Sequence, residues 1–421
     1  MIYFNYAATS YPKPSCVTDA YVSSVNALPS AQFRSAGIFD NSDLFAQTKM
    51  RLGELFGAKN SGNFYFASGS TDALNRIIFG LSLEADEFMT TATEHNSVLR
   101  PLYNLADYNS ERGALSPSCF TEHRNDKETQ VVSSLSDRQD NKETCFSGHF
   151  VEKKVPIIVP CDENGLITVE SVQNHLTKRT KALIVNHCSN VTGAIQDLRA
   201  IGKFAKEHGL FFIVDASQSA GCVEIKIDEW GIDALAFTGH KSLFSVQGTG
   251  GYYVRKGFTL KPLLYGGTGK DSMRICYTPD TYEYEVGTQN SHGIAALNRA
   301  CEYILDKKVS AIYEKEQEIG AYLVKELSEI AHLHLYGKGL KERGPVVSLG
   351  IDGMKPADIA YILQSSYNMI TRAGYQCAPL IHAYLGSEDG GTLRLSYSFL
   401  TTKEELDEAV SALKEIAQAA N

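Results

Sequence analysis

Three short segments of this chain carry groups that imine and phosphate chemistry requires. The apolar run LFFIVD (210–215) ends in Asp215 and is followed by Ala216, Ser217 and Gln218. The run ALAFT (234–238) ends in Thr238 and leads directly into Gly239, His240 and Lys241. A third run, NFYFA (63–67), precedes Ser68-Gly69-Ser70-Thr71, small residues that open a helix whose free N–H groups and positive dipole end suit a phosphate. Each segment also has a plain reading: small residues cap helices, an acid at a strand end forms a turn, and a lysine after a strand sits at the surface. Together they supply an amine for an aldehyde (Lys241), a carboxylate for a pyridinium nitrogen (Asp215) and donors for a phosphate (Ser70, Thr71), which is the set a phosphorylated aldehyde cofactor needs. Lys241, once released by a substrate amine, is then the natural general base.

Positioning those groups falls to an α/β fold. Short apolar runs alternate with helical patterns over the first two-thirds of the chain, the signature of a mostly parallel sheet covered by helices. Strands are expected at 63–67, 182–186, 210–215, 234–238 and 251–254, and the residues that follow them should line one crevice beyond the carboxyl ends of the strands. Thr402 and Glu405 form a capping-box pattern, and Leu406, Ala409, Val410, Leu413 and Ile416 recur at helical spacing, predicting a final helix in a smaller C-terminal lobe. The expected organisation is a large domain over 15–257, with an N-terminal arm (1–14) and the remainder (258–421) forming the small domain.

The 421 residues, 43% of them hydrophobic, suffice for a large core, and the net charge of −9 offers no basic stripe for nucleic acid or an anionic membrane. No run approaches the roughly 20 apolar residues of a membrane helix, and the N-terminal residues lack a targeting pattern, so a cytoplasmic location is expected. The 9 cysteines are odd in number and scattered, which predicts reduced thiols rather than a disulfide framework. Residues 106–154 are rich in Ser, Asp, Asn, Glu and Lys and read as a polar insertion. Within it, Cys119/His123 and Cys145/His149 repeat a C-x3-H spacing. That spacing is not an established zinc pattern, so a solvated excursion without metal is expected.

The chain resembles the class V aminotransferase group of fold-type I pyridoxal-phosphate enzymes, within it the cysteine desulfurase and selenocysteine lyase branch. The segments carrying the resemblance are YFNYAATSYPKP (3–14), ASGSTDALN (67–75), TEHNSVLRPL (93–102), SNVTGAIQDL (189–198), VDASQSAG (214–221), FTGHKSL (237–243), EVGTQN (285–290) and RAGYQCAPLIH (372–382). The resemblance implies pyridoxal 5'-phosphate on Lys241, His95 stacked on its ring, Asn190 beside cofactor and substrate, and Gln218 on the ring oxygen. It further implies that Thr71, Thr238 and His240 bind the phosphate, and that Thr288 reaches the phosphate of a neighbouring subunit across a homodimer. His95 alone could equally satisfy a buried hydrogen bond.

Cys377 separates desulfurases from ordinary transaminases. A single cysteine is usually a small buried hydrophobe, but this one follows Arg372 by five residues and stands near Gly374, a cationic setting that suits a thiolate. The resemblance implies that Cys377 accepts sulfur from L-cysteine and passes it to an acceptor protein, leaving alanine. It also implies that Arg394, and with it Arg372, meets the substrate carboxylate, a task for a planar bidentate donor; as a plain alternative, Arg394 is a surface charge on a strand. Two positions depart from the family pattern: Asn5-Tyr6 replaces the usual Asp-Asn, placing Tyr6 near the expected substrate mouth, and Gln376 replaces the histidine that commonly precedes the cysteine. A selenocysteine lyase, another class V reaction that bypasses Cys377, and a noncatalytic scaffold remain open at this level.

Overall fold

The computed structural model describes residues 1–27, 42–81, 87–114, 155–269 and 271–420. The N-terminal strand β1 (Ile2–Tyr3) belongs to a small two-stranded sheet considered below. The central sheet is built from β2 (Phe64–Ala67), β3 (Glu87–Thr91), β4 (Ile157–Val159), β5 (Thr180–Asn186), β6 (Phe211–Asp215), β7 (Ala234–Thr238) and β8 (Gly250–Val254). Their order is β2-β8-β7-β6-β5-β3-β4. Only β8 runs against its neighbours, so β2 through β7 all point their carboxyl ends to one side. The expected strands are present to within two residues at their ends.

Two strands of the central sheet, β3 and β4, lie outside the expected set. The first reads EFMTT, whose two threonines mask a strand that is nonetheless buried; Thr90 Oγ1 donates to the Ile184 carbonyl at 3.2 Å. The second is a three-residue edge strand, too short for a periodic signal.

Five more strands follow: β9 (Leu333–Tyr336), β10 (Val346–Ile351), β11 (Met369–Ile370), β12 (Arg372–Gly374) and β13 (Thr392–Ser396). Four form an antiparallel sheet in the order β12-β13-β10-β9, and β1 pairs in parallel with β11. The N-terminal residues are thereby tied to the C-terminal third of the chain.

Besides the core that packs the helix Ser70–Leu81 against Ile184, Ile213 and Ala236 of the central sheet, two apolar cores divide the work. The larger surrounds one face of the central sheet and takes Ile294, Leu297 and Cys301 from the helix Ser291–Lys307. The smaller packs the four-stranded sheet under Ile319 and Leu323 of the helix Val309–Ser328 and under the last helix, Lys403–Ala419. The long helix 309–328 joins them, since its Ile312 lies in the first core and its Ile319 in the second. The last helix carries the expected capping box and buries Leu406, Ala409, Leu413 and Ile416.

The expected insertion boundary at residue 106 is not a break in structure, because the helix Asn96–Ala114 runs through it. The Asn, Asp and Ser of this stretch read as loop composition in the sequence. The Cys119/His123 and Cys145/His149 pairs lie outside the described residues. No helix among the described residues is long and apolar enough to cross a membrane.

Candidate active site

A cavity of about 460 Å³ opens at the carboxyl ends of the parallel strands, within the range of small-molecule sites. The fold brings most of the anticipated residues to its wall: Ser70 and Thr71 after β2, His95 after β3, Asn190 after β5, Asp215 and Gln218 from β6, Thr238, His240 and Lys241 from β7, and Arg372 from the small sheet. A switch in strand direction at β8 leaves β2 beside the β7 end, which is why segments distant in sequence meet here.

The N-terminal arm closes the floor. The carbonyl of His240, the residue before Lys241, accepts from Ser10 N at 2.9 Å, Lys13 Nζ at 3.0 Å, and the Thr9 and Ser10 hydroxyls at 3.1 Å each. Gln218 Nε2 donates to the Ala7 carbonyl at 3.0 Å. Tyr6, expected at the substrate mouth, is instead buried in the larger core, edge-on to Tyr3 with ring centroids 5.2 Å apart.

Burial dominates the electrostatics. It pushes Lys241 down to about 8, with Asp215 acting in the opposite sense and Arg394 and Arg372 reinforcing it. It raises Asp215 above the usual carboxylate range, countered by the Ser217 hydroxyl and by Ser217 N at 2.9 Å from Oδ1. His95 is held down at about 3 by burial and by the cations around it, Lys241 first, so its ring is neutral; Nδ1 accepts from Ser97 N at 3.0 Å. A flat neutral ring is suited to stacking.

Sequence reasoning passed over two residues of this network. Ser217 bridges Asp215 to the helix start, its hydroxyl donating to the Asp215 carboxylate while its Oγ lies 2.7 Å from Ser70 Oγ. Glu94 lies fully buried behind the cavity, where burial and then the Asp215 charge push it up to about 8; its Oε1 accepts from Thr91 Oγ1 and Asn186 N, both at 2.8 Å. Both stand next to residues that were singled out, but only a fold places them against Asp215.

The wall fits a flat, phosphorylated aldehyde. His240 Nδ1 and Asn190 Oδ1 are buried polar atoms with no protein partner among the described residues, and both residues face the cavity. At the helix Ser70–Leu81, Asp72 pairs with Arg76 Nε at 2.7 Å, which offsets the carboxylate that would otherwise oppose an anion there. Glycines keep the approach tight: a Cβ on Gly239 would stand 2.3 Å from Thr249 Oγ1, and one on Gly250 would stand 2.7 Å from Gly69 Cα.

Cys377 lies one wall away. It lines an adjoining cavity of about 350 Å³ that shares Thr71, His95 and Ser97 with the first. Arg372 spans the two, lining the first cavity while its Nη2 lies 3.1 Å from Cys377 Sγ. Asn96 N donates to the Cys377 carbonyl at 2.7 Å, fastening the cysteine turn to the His95 segment.

Arg394 is fully buried, not a surface strand charge. It stands directly across the β12–β13 ladder from Arg372, with Nη1 on the Asn190 carbonyl at 2.9 Å and Nη2 on Asn5 Oδ1 at 3.2 Å. It is behind the cavity wall, and burial with the neighbouring Arg372 pulls it down to about 9. Thr288 lies in a separate neighbouring cavity of about 190 Å³ with Arg76 and Asn290.

The family model for aminotransferase class-V matches residues 2–136 and 149–409. This chain belongs to the aminotransferase class-V family. A probable cysteine desulfurase of Borreliella burgdorferi is 26% identical over 432 residues, covering 99% of this chain and 92% of the relative. One from Pyrococcus abyssi is 27% identical over 362 residues, covering 84% and 78%. Among solved structures, the apo cysteine desulfurase of Thermococcus onnurineus NA1 superposes with a TM-score of 0.78 at 25% identity, covering 99% of this chain and 95% of that one. An Escherichia coli cysteine desulfurase gives 0.76 at 21% identity, covering 99% and 94%, a likeness of fold. The class V architecture is that of fold-type I enzymes, a family that uses pyridoxal phosphate.

Proposed function

We propose that this protein is a pyridoxal 5'-phosphate-dependent cysteine desulfurase that converts L-cysteine to L-alanine and takes the sulfur onto Cys377 as a persulfide. The observation that carries this reading is the contact of Arg372 Nη2 with Cys377 Sγ at 3.1 Å, because it links a thiol to the wall of the Lys241 cavity. A guanidinium N–H directed at sulfur is a charge-assisted contact that a thiolate accepts. The names of the full-length relatives support the same reading.

When bound, the cofactor supplies an electron sink for a carbanion at the substrate α carbon. Lys241 would hold it covalently, Asp215 would face its ring nitrogen, His95 and Gln218 would contact the ring, and Ser70, Thr71, Thr238 and His240 would take the phosphate. With burial holding Lys241 near 8, a fraction of Nζ is an uncharged base at neutral pH, fit to take the α proton. Arg372, on the wall, and Arg394, directly behind it, provide paired cations toward which a substrate carboxylate would orient. The Cys377 sulfur then attacks the substrate sulfur, the carbon–sulfur bond breaks with its electron pair left on carbon, and protonation there yields alanine. Thiol exchange passes the terminal sulfur to an acceptor. A homodimer with Thr288 reaching the partner's phosphate, and a protein acceptor for the sulfur, belong to the same proposal.

Mass spectrometry of Cys377 peptides after one turnover with L-cysteine tests it. The expected result is a mass increase of one sulfur atom at Cys377, reversed by a small thiol. Alanine formed with no sulfur on Cys377 would overturn the persulfide route and favour a reaction that bypasses this residue.

A further inference from the structure

We infer that Gln376 is a positioning residue for Cys377, its carboxamide closing the backbone turn that presents the sulfur to Arg372. The inference rests on the reading of Cys377 as sulfur acceptor.

Gln376 and Cys377 are consecutive residues in the left-handed region, with φ of 52° and 61°. Two adjacent side-chain-bearing residues there are held against their own preference and require restraint from outside the turn. The Gln376 side chain provides it. Its Nε2 lies 3.1 Å from the Gly374 carbonyl, 3.2 Å from that of Thr392 and 3.3 Å from that of Arg372. Those carbonyls belong to both strands of the β12–β13 ladder, so one amide nitrogen gathers the two strand ends on which the turn sits.

The residue is 2% exposed, so water cannot take over this work. The two strands approach closely beside the turn: a Cβ on Gly391 would stand 2.3 Å from the Gly374 carbonyl carbon. Main-chain contacts fasten the same two residues to the cavity wall. Asn190 Nδ2 donates to the Gln376 carbonyl at 2.6 Å, and Asn96 N to that of Cys377 at 2.7 Å. With the turn closed, Arg372, on the strand entering it, reaches Sγ.

Three converging carbonyls demand a donor, not merely a filler of the right size. Gln376→Met keeps length without a donor; Gln376→Glu keeps shape but sets carboxylate oxygen against carbonyl oxygen; Gln376→His returns one N–H. Two reactions of the cofactor-loaded protein separate positioning from general damage. Exchange of the L-alanine α hydrogen with deuterium oxide reports Lys241 without using Cys377, while alanine release from L-cysteine needs both.

The expected result is that Gln376→Met and Gln376→Glu lower kcat for alanine release by roughly ten- to a hundredfold, the scale of a misplaced reacting group. KM for L-cysteine and the α-exchange rate stay at parent values, and Gln376→His recovers part of the loss. Parent kcat in both variants, or equal losses in α-exchange and alanine release, overturns the inference. A parent protein that exchanges the α hydrogen but places no sulfur on Cys377 removes the underlying reading as well, an outcome seen before any Gln376 variant is made.

Discussion

Lys241 and Asp215 both line the cavity, and burial shifts each toward its neutral form while their mutual attraction resists. Lys241→Ala removes both the amine that would bind the cofactor and the base. We expect it to abolish the visible absorbance of added pyridoxal phosphate that a lysine imine gives, and alanine formation with it; spectra that match the parent would contradict the assignment. Glu94 makes a sharper prediction about stability. Its pKa of about 8 in the folded protein lies above its unfolded value, so its contribution is complete below the unfolded value and is lost as pH rises toward 8. The loss amounts to at most about 1.4 kcal/mol per pH unit across that window. Gln in its place can accept the same bonds from Thr91 and Asn186 and does not ionise. Chemical denaturation of Glu94→Gln beside the parent should therefore show a stability advantage that grows between pH 5 and pH 8; a difference independent of pH would contradict the neutral carboxyl.

At the scale of elements, the strand-to-loop junctions decide where the chemistry sits. Gly239 links β7 to Lys241 with no room for a methyl group, since a Cβ would stand 2.3 Å from Thr249 Oγ1 and 3.1 Å from Ser245 Cβ. Gly239→Ala is expected to cost about 1–3 kcal/mol of stability. Through displacement of Lys241 it should also lower kcat at least about tenfold. Thermal unfolding together with turnover checks both, and full activity would show that the junction tolerates movement. Thr402→Ala, at the distant capping box, should cost about 1 kcal/mol and leave turnover unchanged.

Sequence reasoning read the apolar strands β5, β6 and β7 well because they are continuously hydrophobic and end at polar residues. It missed β3 because Thr90 and Thr91 are polar yet buried. The polar composition from residue 106 reads as the start of an insertion, whereas the helix Asn96–Ala114 continues past it. Cys377 and Arg372 were legible as neighbours in sequence. The double left-handed turn between them, and the wall separating Cys377 from the Lys241 cavity, depend on contacts with β13 and Asn190 that no local pattern encodes.

For the whole molecule, the site depends on parts from all three cores. Arg372 and Arg394 belong to strands packed with the smaller core, Lys241, Asp215 and Cys377 adjoin residues of the larger, and Ser70 and Thr71 open the helix Ser70–Leu81, which packs in the core on the other side. The N-terminal arm connects the smaller and the larger, pairing Ile2–Tyr3 with Met369–Ile370 before it anchors on His240. Such segments are invisible to periodicity, and only the resemblance of 3–14 to the family marked the arm as significant. The proposed homodimer predicts a sedimentation mass of two chains at micromolar concentration, and a monomer that turns over L-cysteine at full rate would remove Thr288 from the site.

Alanine release from L-cysteine by the cofactor-loaded protein, assayed beside Cys377→Ala, tests the central claim most directly. The account predicts steady alanine formation by the parent and its loss in the variant while the cofactor spectrum is kept. Alanine formation undiminished in Cys377→Ala, or absent from the parent, would contradict it.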